Sequence, residues 1–228
     1  MNVLEELKRQ AAEQAVDQIR SGMVVGLGTG STAVFAVRRI GALLAAGHLR
    51  DIVGIPTAEV TAREAERCGV PLGTLEEYPI VDIAIDGADE IDPGLNLIKG
   101  LGGALLREKV VATAARRFIV VADDRKLVDR LATRAPVPVE VISFARRPVA
   151  DYLTSLGAEV VLRQHDGVVF ITDEDNVILD CHFTGLADPQ AMADRIRRQP
   201  GVVEHGLFLG LATEAFVAGA RGVITFNR

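Results

Sequence analysis

Three segments of the chain carry side chains whose types and spacing could do chemistry. The first, Gly28-Thr29-Gly30-Ser31-Thr32, follows the apolar run Met23 to Leu27 and leads into a helix-like stretch from Ala33 to Ala46. A strand that ends in small residues and opens a helix leaves several N–H groups unpaired at the positive end of the helix dipole. The hydroxyls add donors, so phosphate fits there without a lysine. The spacing Gly28-x-Gly30-x-x-Ala33 also satisfies a dinucleotide fingerprint, but that fingerprint expects an acid at the end of the second strand, where Ile55-Pro56-Thr57 stands. A nucleotide P-loop is excluded for want of Gly-Lys-Ser/Thr. A tight turn with a helix N-cap is the plainer reading of the same residues.

The second segment, Asp86-Gly87-Ala88-Asp89-Glu90-Ile91-Asp92, follows the apolar run Ile80 to Ile85. Carboxylates at the carboxyl end of a buried strand stand where open parallel sheets bind their ligands. A metal site is one reading, although the spacing is not that of a calcium loop. A solvated turn is another, and it suits Glu90 and Asp92 best. Asp86 and Asp89 are the candidates for chemistry. The third segment runs from Lys99-Gly100-Leu101-Gly102-Gly103 into Ala104-Leu105-Leu106-Arg107-Glu108-Lys109. Its glycines let backbone approach a ligand closely. In the helix that follows, Ala104, Glu108, Val111 and Ala115 share one stripe. A carboxylate on an apolar stripe is costly to bury unless it is paired or its charge is used, which singles out Glu108. An internal salt bridge from Glu108 to Lys99 or Arg107 is the alternative.

The elements that must position these segments follow from periodicity. Leu4, Leu7, Ala11, Ala15 and Ile19 recur at helical spacing, and Gly22 stops the helix. Strand-like runs at Met23 to Leu27, Ile52 to Ile55, Ile80 to Ile85 and Phe118 to Ala122 alternate with helices at 33–46, 58–67 and 103–117. Such alternation predicts a Rossmann-like open parallel sheet with helices on both faces. After Pro136-Val137-Pro138 the pattern changes to strand 139–142, helix 148–156, strands 159–163, 168–172 and 177–183, helix 189–198 and strand 202–208. Strands 168–172 and 177–183 form a hairpin, and apart from one additional strand the order matches a smaller ferredoxin-like βαββαβ domain. The tail, Gly222 to Phe226, offers one more strand that could return to the first sheet. The expected domains are therefore 1–134 with 207–228, and 135–206.

Composition removes several classes. The 228 residues carry 25 Lys and Arg against 31 Asp and Glu, a net charge of −6, which argues against a general nucleic-acid surface. Any bound anion must be held locally. No apolar run reaches membrane length, and Met1 to Arg20 contains no secretory apolar core, so neither insertion nor export is expected. Cys68 and Cys181 are far apart, form no metal or disulfide pattern and read as small buried residues of a cytoplasmic protein. His48, His165, His182 and His205 show no metal-ligand spacing, and no Gly-x-Ser-x-Gly elbow occurs.

Taken in order, Gly-Thr-Gly-Ser-Thr, Asp-Gly-Ala-Asp-Glu-Ile and Lys-Gly-x-Gly-Gly-Ala-Leu-x-Arg-Glu-Lys resemble the type A ribose-5-phosphate isomerases. The resemblance continues through Ala122-Asp123-Asp124-Arg125-Lys126, Pro136 to Val141, Asn176 to Asp180 and Pro200 to Val203. It implies interconversion of ribose 5-phosphate and ribulose 5-phosphate through an enediolate, without metal or organic cofactor, in a homodimer or homotetramer. It implies that Thr29, Gly30, Ser31 and Thr32 bind phosphate or sugar, and that Asp86, Gly87, Ala88 and Asp89 form an acidic substrate loop. Lys99, Gly100, Leu101 and Gly102 would form a second substrate loop, Glu108 the base, and Lys126 a further contact. Leu101 stands where glycine is common, and Ala58 where serine is common. The chemistry of the residues agrees: one carboxylate can carry a proton between adjacent carbons, Lys99 and glycine N–H groups can stabilise the enediolate, and Asp86 or Asp89 can assist ring opening. A sugar-phosphate sensor without turnover is the competing class, and a dinucleotide-dependent oxidoreductase a third. A sensor would need the phosphate turn but not a base paired with a cation.

Overall fold

In the computed structural model, which describes residues 3–228, helices and strands alternate from the first element onward. The chain begins with α1 (Val3–Val16), β1 (Val24–Leu27), α2 (Ala33–Ala45), β2 (Val53–Pro56), α3 (Glu59–Arg67) and β3 (Ile83–Gly87). Two short strands, β4 (Glu90–Ile91) and β5 (Leu97–Ile98), precede α4 (Leu105–Ala114) and β6 (Phe118–Asp123). Next come β7 (Val137–Val141), α5 (Arg146–Ser155), β8 (Glu159–Leu162) and a small hairpin of β9 (Gln164–His165) and β10 (Val168–Val169). The remaining elements are β11 (Val177–His182), α6 (Pro189–Arg197), β12 (Val202–His205), β13 (Leu207–Phe208), β14 (Glu214–Gly219) and β15 (Gly222–Asn227). These form two compact units: the chain up to Ala88 with Arg107–Lys126 and Gly210–Arg228, and Asp89–Leu106 with Leu127–Leu209.

The first unit is built on a six-stranded sheet of order β15-β14-β6-β3-β1-β2, parallel except for the edge strand β15. Strand residues alternate between its faces. Val25, Leu27, Ile83, Ile85, Ile119 and Val121 share a core with Ala11, Ala12 and Ala15 of α1 and Val37 and Ile40 of α2. The opposite face carries Gly26 and Ala84, against which α4 packs. A Cβ on Gly26 would lie 2.7 Å from both the Ala84 Cβ and Val111 Cγ1, so glycine is needed for α4 to approach. That approach places the start of α4, and with it Glu108, beside the carboxyl ends of the central strands.

The second unit contains an antiparallel sheet of order β12-β7-β11-β8, with α5 and α6 supplying the two crossovers of the expected βαββαβ unit. Val137, Val139, Val141, Leu179 and Cys181 pack with Val149 and Leu153 of α5 and Ile196 of α6. A three-stranded sheet, β13-β5-β4, completes the unit.

Several expected boundaries shift. The strand expected at 80–85 runs instead from Ile83 to Gly87, which puts Asp86 within the ladder. The strand expected at 168–172 is reduced to the short β10. The run 202–208 divides into β12 and β13 at Gly206, where a Cβ would collide with the Lys99 carbonyl. Gly206 N–H donates to Pro138 O at 2.7 Å while its carbonyl accepts from Lys99 N–H at 2.9 Å. Residues 89–106 and 127–134 group with the second unit, unlike the expected division at 134, because β4 and β5 pair with β13 through β5 and Leu131 and Ala132 join the second core. The alanine-containing β14 has no counterpart in the periodicity reading. It nevertheless lies buried between β6 and β15.

Candidate active site

The glycine turn after β1 belongs to the first unit, and its geometry depends on Asp86 at the end of β3. One oxygen, Asp86 Oδ1, accepts the Thr29 N–H at 3.0 Å and the Gly87 N–H at 2.7 Å. A side chain on Gly28 would run into that carboxylate. Asp86 is only 3% exposed, so backbone N–H groups take the place of water around Oδ1. The Thr29 hydroxyl turns inward and lies 2.7 Å from Thr57 Oγ1 and 2.9 Å from Thr61 Oγ1, both on buried side chains. Thr57 donates in turn to Leu27 O at 3.0 Å. Thr29 thus directs its amide and its hydroxyl into the protein. Beyond it, Gly30 has φ 103°, a left-handed conformation that favours glycine. Ser31 is exposed and Thr32 is the N-cap of α2, with no side-chain cap hydrogen bond. Lys8 of α1 donates to Ser31 Oγ at 2.7 Å and brings a cation to the turn.

Glu108 lies in the first turn of α4 and is 4% exposed, where the helix dipole favours a carboxylate. Its neighbour Arg107 pairs with Glu59 at 2.9 Å. Lys126 closes the short 3-10 turn Asp124–Lys126 after β6. There Arg125 pairs with buried Asp123 at 2.7 Å. Burial pushes the Asp123 carboxyl upward, but the hydrogen bonds and charge of Arg125 outweigh it and hold the group below its usual range.

In the second unit, Asp89 Oδ2 accepts the Leu101 N–H at 3.0 Å, and the Asp89 N–H donates to Ile98 O at 2.8 Å. Lys99 is 2% exposed, with Nζ 5.4 Å from the centre of the Phe208 ring. Gly100 and Gly103 have φ 104° and 86°, and a side chain on Gly103 would collide with Phe170. Arg163 donates from Nη1 to Gly100 O at 2.7 Å and Leu101 O at 3.1 Å. The other two acids of the segment serve the fold. Glu90 accepts N–H groups of Ala132 and Arg134 at 2.6 Å and of Ala135 at 2.8 Å, and Asp92 accepts those of Gly94 and Asn96 at 2.9 and 2.8 Å.

The structure therefore brings Thr29, Asp86 and Gly87 together in one unit, and Asp89 and Leu101 in the other. Gly102 is exposed in the same loop as Leu101. Sequence reasoning missed Lys8, Thr57, Thr61 and Arg163. Only the threonines had a signal, since both follow the second strand at the edge where ligands gather. Among the described residues no three His, Cys, Asp or Glu side chains group as a metal ion would require. His48, His165 and His182 are exposed, and buried His205 accepts the Leu207 N–H through Nδ1 at 3.3 Å. Cys181 is buried, which pushes its thiol well above the usual range, whereas Cys68 is only half-buried.

The first unit carries an anion-type turn and a buried carboxylate at a helix start, and the second a buried lysine in a glycine loop; these are the kinds of group that hold a phosphorylated ligand and move a proton. Comparison with known proteins gives this class a family. Residues 53–222 match the model of ribose 5-phosphate isomerase A (phosphoriboisomerase A). The ribose-5-phosphate isomerase A of Roseiflexus castenholzii is 55% identical over 218 residues, covering 95% of this chain and 93% of the relative. A probable chloroplastic ribose-5-phosphate isomerase 3 of Arabidopsis thaliana is 52% identical, covering 96% of this chain and 82% of that one. A solved D-ribose-5-phosphate isomerase in complex with phospho-erythronic acid superposes with a TM-score of 0.97 at 40% identity, covering 100% of both chains. The Plasmodium falciparum ribose 5-phosphate isomerase gives a TM-score of 0.96 at 40% identity and 99% coverage of each. The chain belongs to the ribose 5-phosphate isomerase A family.

Proposed function

We propose that this chain interconverts D-ribose 5-phosphate and D-ribulose 5-phosphate through an enediolate, as an aldose–ketose isomerase of the non-oxidative pentose phosphate pathway. Glu108 is the base that removes the C2 proton and returns it to C1. Its type and its burial at a helix start are the observation that carries this reading. Lys99, with N–H groups of the Gly100 to Gly102 loop, stabilises the charge that develops on the enediolate oxygens. Gly30, Ser31 and Thr32 hold the phosphate, with Lys8 neutralising part of its charge, while Thr29 shapes the turn from within. Asp86 or Asp89 assists opening of the sugar ring, Gly87 and Ala88 line the same acidic loop, and Lys126 is a further substrate contact. Anchoring the phosphate away from the reacting carbons turns binding energy into orientation.

The reaction needs neither metal nor organic cofactor in this scheme. The protein acts in the cytoplasm as a homodimer or homotetramer and binds no nucleic acid. The phospho-erythronic acid in the related structure supports the reading, because its carboxylate offers two oxygens in a plane, as an enediolate does. The test is turnover: purified protein given ribose 5-phosphate should form ribulose 5-phosphate, with competitive inhibition by phospho-erythronic acid. Saturable binding without ketose formation would favour a sensor instead.

A further inference from the structure

We infer that Arg163 is a positioning residue for the isomerisation: by holding the carbonyl oxygens of Gly100 and Leu101, it turns the N–H groups of Leu101 and Gly102 the opposite way, the first onto Asp89 and the second toward the substrate oxyanion. The inference rests on the reading of Lys99 to Gly102 as the substrate loop. Arg163 follows β8 directly, and its N–H is fixed to Ile178 O of β11 at 2.9 Å. Its guanidinium grips Asp180 of β11 through two nitrogens, Nε at 2.9 Å from Oδ2 and Nη2 on Oδ1. Both side chains are largely buried, with 11% and 15% exposure. A buried cation needs a counter-charge, and Asp180 supplies it. That pairing leaves Nη1, which reaches neither a second acid nor a side chain but the two loop carbonyls, at 2.7 and 3.1 Å.

The consequence follows from peptide planarity. In a trans peptide the C=O and the N–H of the next residue point in opposite directions. Clamping Gly100 O fixes the Leu101 N–H, which does point away, onto Asp89 Oδ2 at 3.0 Å. Clamping Leu101 O fixes the Gly102 N–H by the same rule. Gly102 is exposed and has no side chain to shield that donor. A positive charge on the carbonyl oxygen also polarises the peptide and strengthens its N–H as a donor. Since the substrate oxygens acquire full charge only as the enediolate forms, the aimed donor acts on the transition state more than on the bound sugar.

A kcat-against-KM split tests this. Arg163→Met keeps length and packing but has no donors. It is expected to lower kcat on ribose 5-phosphate about 10- to 100-fold while KM moves less than about 3-fold. Arg163→Lys, whose ammonium cannot grip Asp180 bidentately and hold both carbonyls, is expected to fall between the parent and the Met variant. A parent-like kcat in a folded Arg163→Met overturns the inference, and so does a rise in KM at unchanged kcat. If Arg163→Met does not fold, Arg163→Lys decides, and full activity there overturns it. Lys99→Met separates the two levels. Loss of kcat in Lys99→Met with none in the Arg163 variants removes Arg163 alone, whereas a fully active Lys99→Met removes the loop reading on which it rests.

Discussion

The turn at Thr29 and the loop at Leu101 are both glycine-rich and both braced by an aspartate of the same short motif, yet they are held by different means. Asp86 gives one oxygen to the Thr29 and Gly87 N–H groups, and the far side of Thr29 rests on the neutral hydroxyls of Thr57 and Thr61. Asp89 gives one oxygen to the Leu101 N–H, and the carbonyls of that loop rest on the Arg163–Asp180 ion pair. Asp-Gly-Ala-Asp thus works as two braces, one within each unit. The difference suits the ligands proposed for them. A turn that receives a permanent phosphate charge can meet it directly, with fixed backbone donors and the Lys8 ammonium at Ser31, whereas a loop that meets charge developing during reaction gains from backbone donors polarised from behind by a cation.

The largest effect is expected at the base and not at either brace. Glu108→Gln should lower kcat about 10²-fold or more with a smaller change in KM, because a positioned base contributes about 10²–10⁴-fold and the amide preserves shape. Steady-state kinetics on purified protein measure this. Near-normal turnover would take Glu108 out of the proton transfer and leave the two braced loops as a binding device.

A smaller effect separates the braces themselves. Asp86→Ala removes a buried carboxylate oxygen that the part-buried Thr29 and Gly87 N–H groups both use, at a cost of about 1–3 kcal/mol. Asp89→Ala frees one N–H, that of exposed Leu101, which water can satisfy, so stability should fall by less than about 1 kcal/mol. Urea unfolding of both variants tests the order. Equal losses would mean that the two aspartates brace their loops alike and that burial does not set the difference.

Much of this was legible in the sequence, and the residues that were not share a cause. Asp86, Asp89, Lys99 and Glu108 stood out because a charged side chain beside an apolar run or glycine must be accounted for locally. The ferredoxin-like unit was legible because period-two and helical stretches alternate cleanly from Val139 onward. Arg163 was not legible: its partners Asp180, Gly100 and Leu101 lie far along the chain, and only the pairing of β8 with β11 brings Arg163 beside Asp180. Lys8 was hidden for the same reason, since a lysine on an amphipathic helix looks solvated until Ser31 is found 2.7 Å away. The strand β14 escaped because Ala215 and Ala218 have little strand preference and owe their place to burial between neighbours. The inward turn of Thr29 escaped because a hydroxyl in a glycine loop reads equally as donor to ligand or to protein.

The smallest expected effects are on pH dependence, and they extend the contrast between the units to their buried carboxylates. Glu140 of β7 accepts from the Thr172 hydroxyl at 2.9 Å and the Asn176 amide at 3.0 Å, yet burial prevails and raises it above the ordinary glutamate value of 4.5. Asp123 in the other unit is held below its ordinary 3.8 by Arg125. The signs are opposite. A raised group binds more protons in the folded state, so the stability from Glu140 is full below 4.5 and is lost as pH rises through its folded value. A lowered group does the reverse, and the stability from Asp123 is full above 3.8 and is lost as pH falls through its folded value. Glu140→Gln should therefore raise Tm at pH 7 and leave it unchanged near pH 4, whereas Asp123→Asn should lower Tm at pH 7 and converge on the parent in acid. Melting curves across that range decide it: a Glu140→Gln variant less stable than the parent at pH 7 would mean that the carboxylate's hydrogen bonds outweigh its burial, and the two units would then respond to pH with the same sign.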